Sequence, residues 1–302
     1  MNHLLPKPLN AQSHTLDGTA GAVVVYEGGS GPPVLLIHSI NALASAAEIR
    51  PLFEALRQEH SVYALDLPGF GLSDRLPRAY TVDDMCSAVQ MTAQWIVQRH
   101  PQQALMAFGL SLSCEFLARV AQQSPQWFHC LILISPTGFR SGKSLRQPKG
   151  GTMFMPMFDQ FLRRPGPGWG RFLFRQLTRP SVVRYFLRRT WGGPQIDETL
   201  WAYAVSSAHV PHAEQAPLSF LSGGLFSTDI HNIYESLQMP IWVVHGTRGD
   251  FTDYGALSLV RDRSHWHITV MQAGAMPYFE DINGFMAGLS QFLQRIKTHA
   301  AI

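Results

Sequence analysis

Short unbroken apolar runs recur along the first half of the chain, separated by stretches with helical spacing. Residues 33–38 read Pro-Val-Leu-Leu-Ile-His, and 61–65, 104–108 and 129–134 repeat the pattern. A run without alternation is what a strand buried on both faces requires. A further run at 22–26 ends in the glycine cluster Gly28-Gly29-Ser30-Gly31 and reads as a strand. Residues 44–58 place Ile49, Leu52, Phe53 and Leu56 on one helical face. Thr81 and Asp84 resemble a capping box opening a helix over 82–98, and a helical pattern follows at 114–123. Strands and helices thus alternate from 33 to 135, which predicts a mostly parallel, doubly wound α/β sheet with right-handed crossovers. Sites in such sheets form beyond the C-terminal strand ends. The segments after His38, Leu65, Phe108 and Ile134 therefore converge on one edge. Residues 1–20 are polar and turn-rich and predict no element.

The alternation stops near Gly138. Helical pieces are expected at 155–164, 169–177, 181–191 and 196–209, broken by Pro165-Gly166-Pro167-Gly168 and Gly192-Gly193-Pro194. Strands resume at 240–245 and 267–271, and an amphipathic helix closes the chain at 282–296. The predicted organisation is a core of residues 1–138 and 239–302, with a helical cap of residues 139–238 inserted before the penultimate strand.

Charge changes the picture of the cap. The whole chain carries +3, yet residues 140–189 hold twelve Lys and Arg against one acid, Asp159. The rest of the chain is net acidic. Three readings follow for the basic segment: solvated helix faces covering the sheet edge, an anionic or acyl-chain substrate tunnel with arginines at its mouth, or docking on an anionic membrane surface. No stacking or groove-reading module accompanies the charge, so no nucleic acid partner is expected. Apolar content of 46% fits a sizeable core, and three cysteines do not make a disulfide framework. No Cys/His spacing suggests a metal, and no cofactor is implied. The first residues do not read as a signal peptide, and no apolar stretch reaches the roughly 18 residues that span a bilayer. A cytoplasmic protein is expected.

The candidate chemistry centres on Phe108-Gly109-Leu110-Ser111-Leu112-Ser113-Cys114. A serine between a buried strand and a helix has the layout of a nucleophile elbow. The run ending in His38 and the segment Asp66-Leu67-Pro68-Gly69-Phe70-Gly71-Leu72-Ser73 precede it, and the Gly246-Thr247-Arg248-Gly249-Asp250 turn and Gly274-Ala275-Met276-Pro277-Tyr278-Phe279-Glu280 follow it. Together these marks resemble the α/β-hydrolase superfamily over residues 22–138 and 239–297, with the cap where that superfamily carries one. The resemblance implies the α/β-hydrolase fold, a nucleophilic Ser111, an acid at Asp250 (with Asp253 close by), and an oxyanion hole from the backbone N–H groups of Ile40 and Leu112. Asn41 would add a side-chain donor. Ser113 replaces the second glycine of the elbow.

The general base is the departure: Ala275 stands at the position the resemblance gives to histidine. A serine hydroxyl is a poor nucleophile without a group to take its proton. His38 at the neighbouring strand end, and His209 and His212 in the cap, are the candidate surrogate bases. The expected function is a serine hydrolase or acyl transferase acting on a small apolar ester or acyl substrate, with a non-standard base or one removed by substitution. The alternative is a hydrolysis-deficient homologue that binds a ligand or partner, or catalyses without hydrolysis.

Overall fold

In the computed structural model, residues 5–141, 151–164 and 168–300 are described. The apolar runs become the middle of one eight-stranded sheet. Its strands are β1 (Gln12–Leu16), β2 (Val23–Gly28), β3 (Pro33–Ile37), β4 (Ser61–Asp66), β5 (Leu105–Leu110), β6 (Phe128–Ile134), β7 (Ile241–Gly246) and β8 (Trp266–Met271). The order is β1-β2-β4-β3-β5-β6-β7-β8. β1 and β2 run antiparallel, β2 pairs antiparallel with β4, and the remaining pairs are parallel. β3, β4, β5 and β7 are buried throughout, as continuous apolar runs require. β1 is the element the sequence pattern misses. It is a half-exposed edge strand reading Gln-Ser-His-Thr-Leu, held by its ladder to β2 rather than by an apolar face.

The helices are α1 (Arg50–Leu56), α2 (Val82–Arg99), α3 (Ser113–Gln123), α4 (Pro156–Arg163), α5 (Trp169–Leu177), α6 (Pro180–Trp191), α7 (Glu198–Ser207), α8 (Gln215–Leu221), α9 (Ile230–Ser236), α10 (Pro277–Glu280) and α11 (Ile282–Ala300). α2 starts at the expected capping box, with Thr81 and Asp84 exchanging bonds. One sheet face, through Leu35, Leu65 and Leu133, packs on Val89, Leu117 and Ile233 of α2, α3 and α9. The other face, through Leu36, Ile132 and Trp242, packs on Phe53 of α1 and Phe285 and Phe292 of α11. The chain is therefore wound on both faces of the sheet.

The cap is smaller than the sequence boundary at 238 implies. α9 belongs to the core: Ile230, Ile233 and Tyr234 are buried in the same cluster as α3. Helices α4–α8, called the cap below, have a small apolar centre of Phe174, Val183, Ala204 and Ala213 that takes in Leu43 from the loop after β3, while Ala216 of α8 is buried in the sheet's cluster. The cap is fastened to the core at several points. Arg50 pairs with Asp197 at 2.8 Å, and Tyr80 N–H donates to Ser219 Oγ at 2.9 Å. The last turn of α6 lies on the loops after β7 and β8, described below.

Candidate active site

The strand-to-helix turn is built by sterics. β5 ends at Leu110 and α3 begins at Ser113, so the chain reverses within two residues. Ser111 takes φ 57°, a left-handed conformation that costs a non-glycine residue roughly 1–3 kcal/mol. Its N–H donates to Ile134 O at 2.8 Å, and its carbonyl accepts from Cys114 N–H at 3.2 Å, which hold the strained backbone in place. A Cβ on Gly109 would sit 3.0 Å from the Cys114 Cα, so the tight return of helix on strand needs glycine there. Ser113, in the other elbow position, is fully buried. Its hydroxyl donates to Leu110 O at 2.8 Å and accepts from Leu110 N–H at 3.1 Å. A serine is accommodated because its hydroxyl closes the turn.

The two expected oxyanion donors flank this turn. Neither the Ile40 nor the Leu112 backbone N–H has a hydrogen-bond partner among the described residues. The loop carrying Ile40 is braced from below by Glu48, a buried carboxylate. Glu48 accepts from Ser39 N–H at 2.9 Å and from Asn41 Nδ2 at 2.6 Å. Asn41 Oδ1 in turn accepts from Leu43 N–H at 2.8 Å. Asn41 is thus committed to shaping the loop, and the expectation that it adds a donor to the oxyanion hole is corrected.

The position where the base was expected holds Ala275, and Ser111 Oγ makes no hydrogen bond to any described residue. His38 is fully buried with both ring nitrogens engaged: Nε2 accepts from Leu67 N–H at 3.0 Å and Nδ1 lies 2.6 Å from Ser39 O. It holds two loops together, and the surrogate-base expectation is corrected on that ground. His209 and His212 lie elsewhere in the cap, lining a cleft of about 640 Å³ with Arg175, Arg179 and Phe174 of the α5 region. His209 Nδ1 is 3.0 Å from Val205 O, in the last turn of α7 just before it. Neither histidine bonds to Ser111. His245, at the end of β7, stacks on Tyr254 at 3.9 Å between ring centroids, and burial lowers its pKa.

Asp250 is where the turn after β7 was expected to put it, but its side chain faces outward. It is exposed and bound by Arg189 of α6, with Nε at 2.6 Å and Nη2 at 2.8 Å. Ala275 is buried, and its N–H donates to Thr190 O at 2.9 Å while its carbonyl accepts from Ser135 Oγ at 2.8 Å. Asp250 N–H donates to Arg189 O at 3.3 Å. The last carbonyls of a helix have no intrahelical partner. Here they find theirs in the loops where a triad acid and base would stand. A Cβ on Gly274 would come within 2.6 Å of both Thr190 O and Trp191 O, which shows how closely α6 is seated. No hydrogen bond links Asp250 to the segment around Ala275.

The elbow also carries a group that the sequence reading passed over. Glu115, four residues after Ser111 on α3, is buried and accepts from the Thr137 hydroxyl and from Ser227 N–H at 3.1 Å. Burial pushes its carboxyl up to about 7. Beside it Arg119 is paired with Asp229. The available signal was Glu115 with Arg119 one turn on, the two charged residues of the 114–121 run. Among the described residues no group of three His, Cys, Asp or Glu could hold a metal ion, and no helix is long and apolar enough to cross a membrane.

A sheet of this order, with a serine in a strained turn after its fifth strand and helical cover on both faces, defines an α/β hydrolase. A family model described as alpha/beta hydrolase fold matches residues 32–192, more than half of the chain, and the chain belongs to that family. A search of curated protein sequences returned no match. Solved structures with the same fold include a membrane phospholipase A described as a bacterial virulence factor (21% identity, TM-score 0.69, 95% of this chain and 87% of that one). A serine hydrolase involved in carbazole degradation aligns at 16% identity and TM-score 0.71, over 94% and 99%. A carboxylesterase from Bacillus subtilis aligns at 15% and 0.67, over 95% and 92%.

Proposed function

We propose that this protein is a hydrolase or acyl transferase acting on small apolar esters, with Ser111 as a nucleophile that works without an imidazole. The observation that carries the reading is the strained Ser111 backbone flanked by two unpaired N–H groups, those of Ile40 and Leu112. Strain of this kind persists where the surroundings over-determine it, and it clusters at functional sites. In the proposed reaction Ser111 Oγ attacks the carbonyl carbon, and water in the site takes the hydroxyl proton. The developing oxyanion is met by the two N–H groups, aligned before charge develops. The alcohol then leaves with a proton, and water, or an acceptor alcohol, releases the acyl group and restores Ser111. Losing a triad histidine costs on the order of 10⁶ in turnover, with roughly 10³–10⁴ over water retained by the oxyanion hole and binding. A slow enzyme on activated esters is the expectation.

The unpartnered Ser111 hydroxyl supports a second reading, a ligand-binding protein that has lost hydrolysis. Treatment with a serine-directed fluorophosphonate, with the adduct mapped by mass spectrometry, separates the two. The expected result is a slow adduct on Ser111 that is absent in Ser111→Ala and forms on the order of 10²-fold faster, a general-base effect, in Ala275→His. Absence of an adduct in both the native chain and Ala275→His leaves the binding reading standing.

A further inference from the structure

Twelve large apolar side chains are exposed among the described residues, and ten of them fall within residues 153–186. They are not scattered. Met157, Phe158 and Phe161 share one side of α4 at i, i+1 and i+4, and Trp169 and Phe172 share one side of α5 at i and i+3. Phe161 stacks on Trp169 at 6.0 Å between centroids, and Trp169 meets Phe172 edge-on at 6.3 Å. The two helices therefore present one continuous aromatic patch. Met157 is 86% exposed, and each of the others is between 38% and 52% exposed.

These side chains are not needed inside the fold. α4 anchors through Leu162, and α5 through Gly170 and Phe174. Phe172, Tyr185 and Phe186 are exposed rather than packed on the sheet edge. Contiguous exposed apolar patches mark interaction surfaces.

The surrounding charge states the partner's sign. Residues 151–191 contain eight arginines and one acid, Asp159. That acid is held inside the cap by Arg163 at 2.9 Å and by the Ser222 hydroxyl at 2.9 Å. Arg164 and Arg175 flank the patch, are exposed, and have no ion-pair partner among the described residues. Tryptophan, phenylalanine and methionine beside arginine is the composition of helices lying in a lipid interface, with the apolar side at the headgroup–acyl boundary and the cations on anionic headgroups.

We infer that the α4–α5 face of the cap docks on an anionic lipid bilayer surface. The aromatic patch enters the interface and Arg164 and Arg175 contact lipid phosphates. The inference does not depend on whether Ser111 is a nucleophile, because it is read as binding and needs no turnover.

The test is flotation of the full chain with vesicles of phosphatidylcholine alone and of phosphatidylcholine mixed with phosphatidylglycerol. The protein is expected to float with the mixed vesicles and to partition weakly to the neutral ones. Arg164→Gln and Arg175→Gln should each lower the partition constant about fivefold, the weight of one basic side chain at an anionic surface. The pair Phe161→Glu and Trp169→Glu should abolish flotation. Ser111→Ala should float as the native chain does. Circular dichroism of the aromatic double variant checks that the fold is kept, and the arginine variants provide an independent readout. Equal partition to both vesicle types, or flotation unchanged in the aromatic variant, would overturn the inference. A dimer in solution that the aromatic substitutions dissociate, with no flotation, would overturn it in favour of a second copy of the chain.

Discussion

Ser111 and Glu115 sit one helical turn apart, yet the chain announces only the first of them. The elbow serine is legible because strand, turn and helix leave a pattern in neighbouring residues. The state of Glu115 is not legible, because it depends on Thr137 and Ser227, which arrive from other parts of the fold. Its titration has a consequence for stability. The unfolded chain releases the Glu115 proton near 4.5, whereas the folded protein holds it up to about 7. Between these values the folded state binds more protons, so stability falls as pH rises through the window. The difference is worth about 3 kcal/mol at most. Chemical denaturation of the native chain and Glu115→Gln from pH 4.5 to 7.5 should show this: the native chain loses stability relative to the variant as pH rises. Parallel curves would show that the carboxyl is ionised throughout. The frame of Gly274, Pro277 and Glu280 drew attention to Ala275 in the sequence itself. The outward turn of Asp250 was not, because its partner Arg189 lies 61 positions away in the chain.

At the scale of elements, apolar runs and capping residues located seven of the eight strands and the main helices, since burial on both sheet faces writes itself into composition. β1 left no such signal, and the short helices α8 and α9 were not distinguished within the cap. What the pattern could not convey is how α6 meets the core. Beside the buried Trp191 ring on Phe279, that contact is made by backbone carbonyls, which every residue carries. Two substitutions separate backbone seating from charge. Gly274→Ala forces a Cβ against the Thr190 and Trp191 carbonyls and is expected to cost about 2 kcal/mol or more, as overpacking does. Arg189→Ala removes an exposed, solvent-screened pair and is expected to cost less than Gly274→Ala does. Thermal unfolding of the two variants reads the ranking. A larger loss for Arg189→Ala would mean that the ion pair, not the carbonyl contact, seats the helix.

At the scale of the whole molecule, the cap and the sheet differ in how much apolar surface secures them. The sheet is packed on both faces by large clusters, whereas the cap centre holds few side chains and α4 buries only Leu162. Elements with few buried contacts open locally at lower free energy. Amide exchange followed by mass spectrometry should therefore be fast in α4 and α5 and slow in α3, β5 and β6. Equal protection across cap and sheet would contradict this distribution. The cap is also fastened on several sides: α6 to the loops after β7 and β8, Asp197 to Arg50, and Ser219 to Tyr80. Such a part behaves as a roof rather than a door. The secured sides leave α4 and α5 as its least anchored part, with Leu162 the one buried side chain of α4. Motion there is expected to stay within those two helices while the side seated on the strand ends keeps its place.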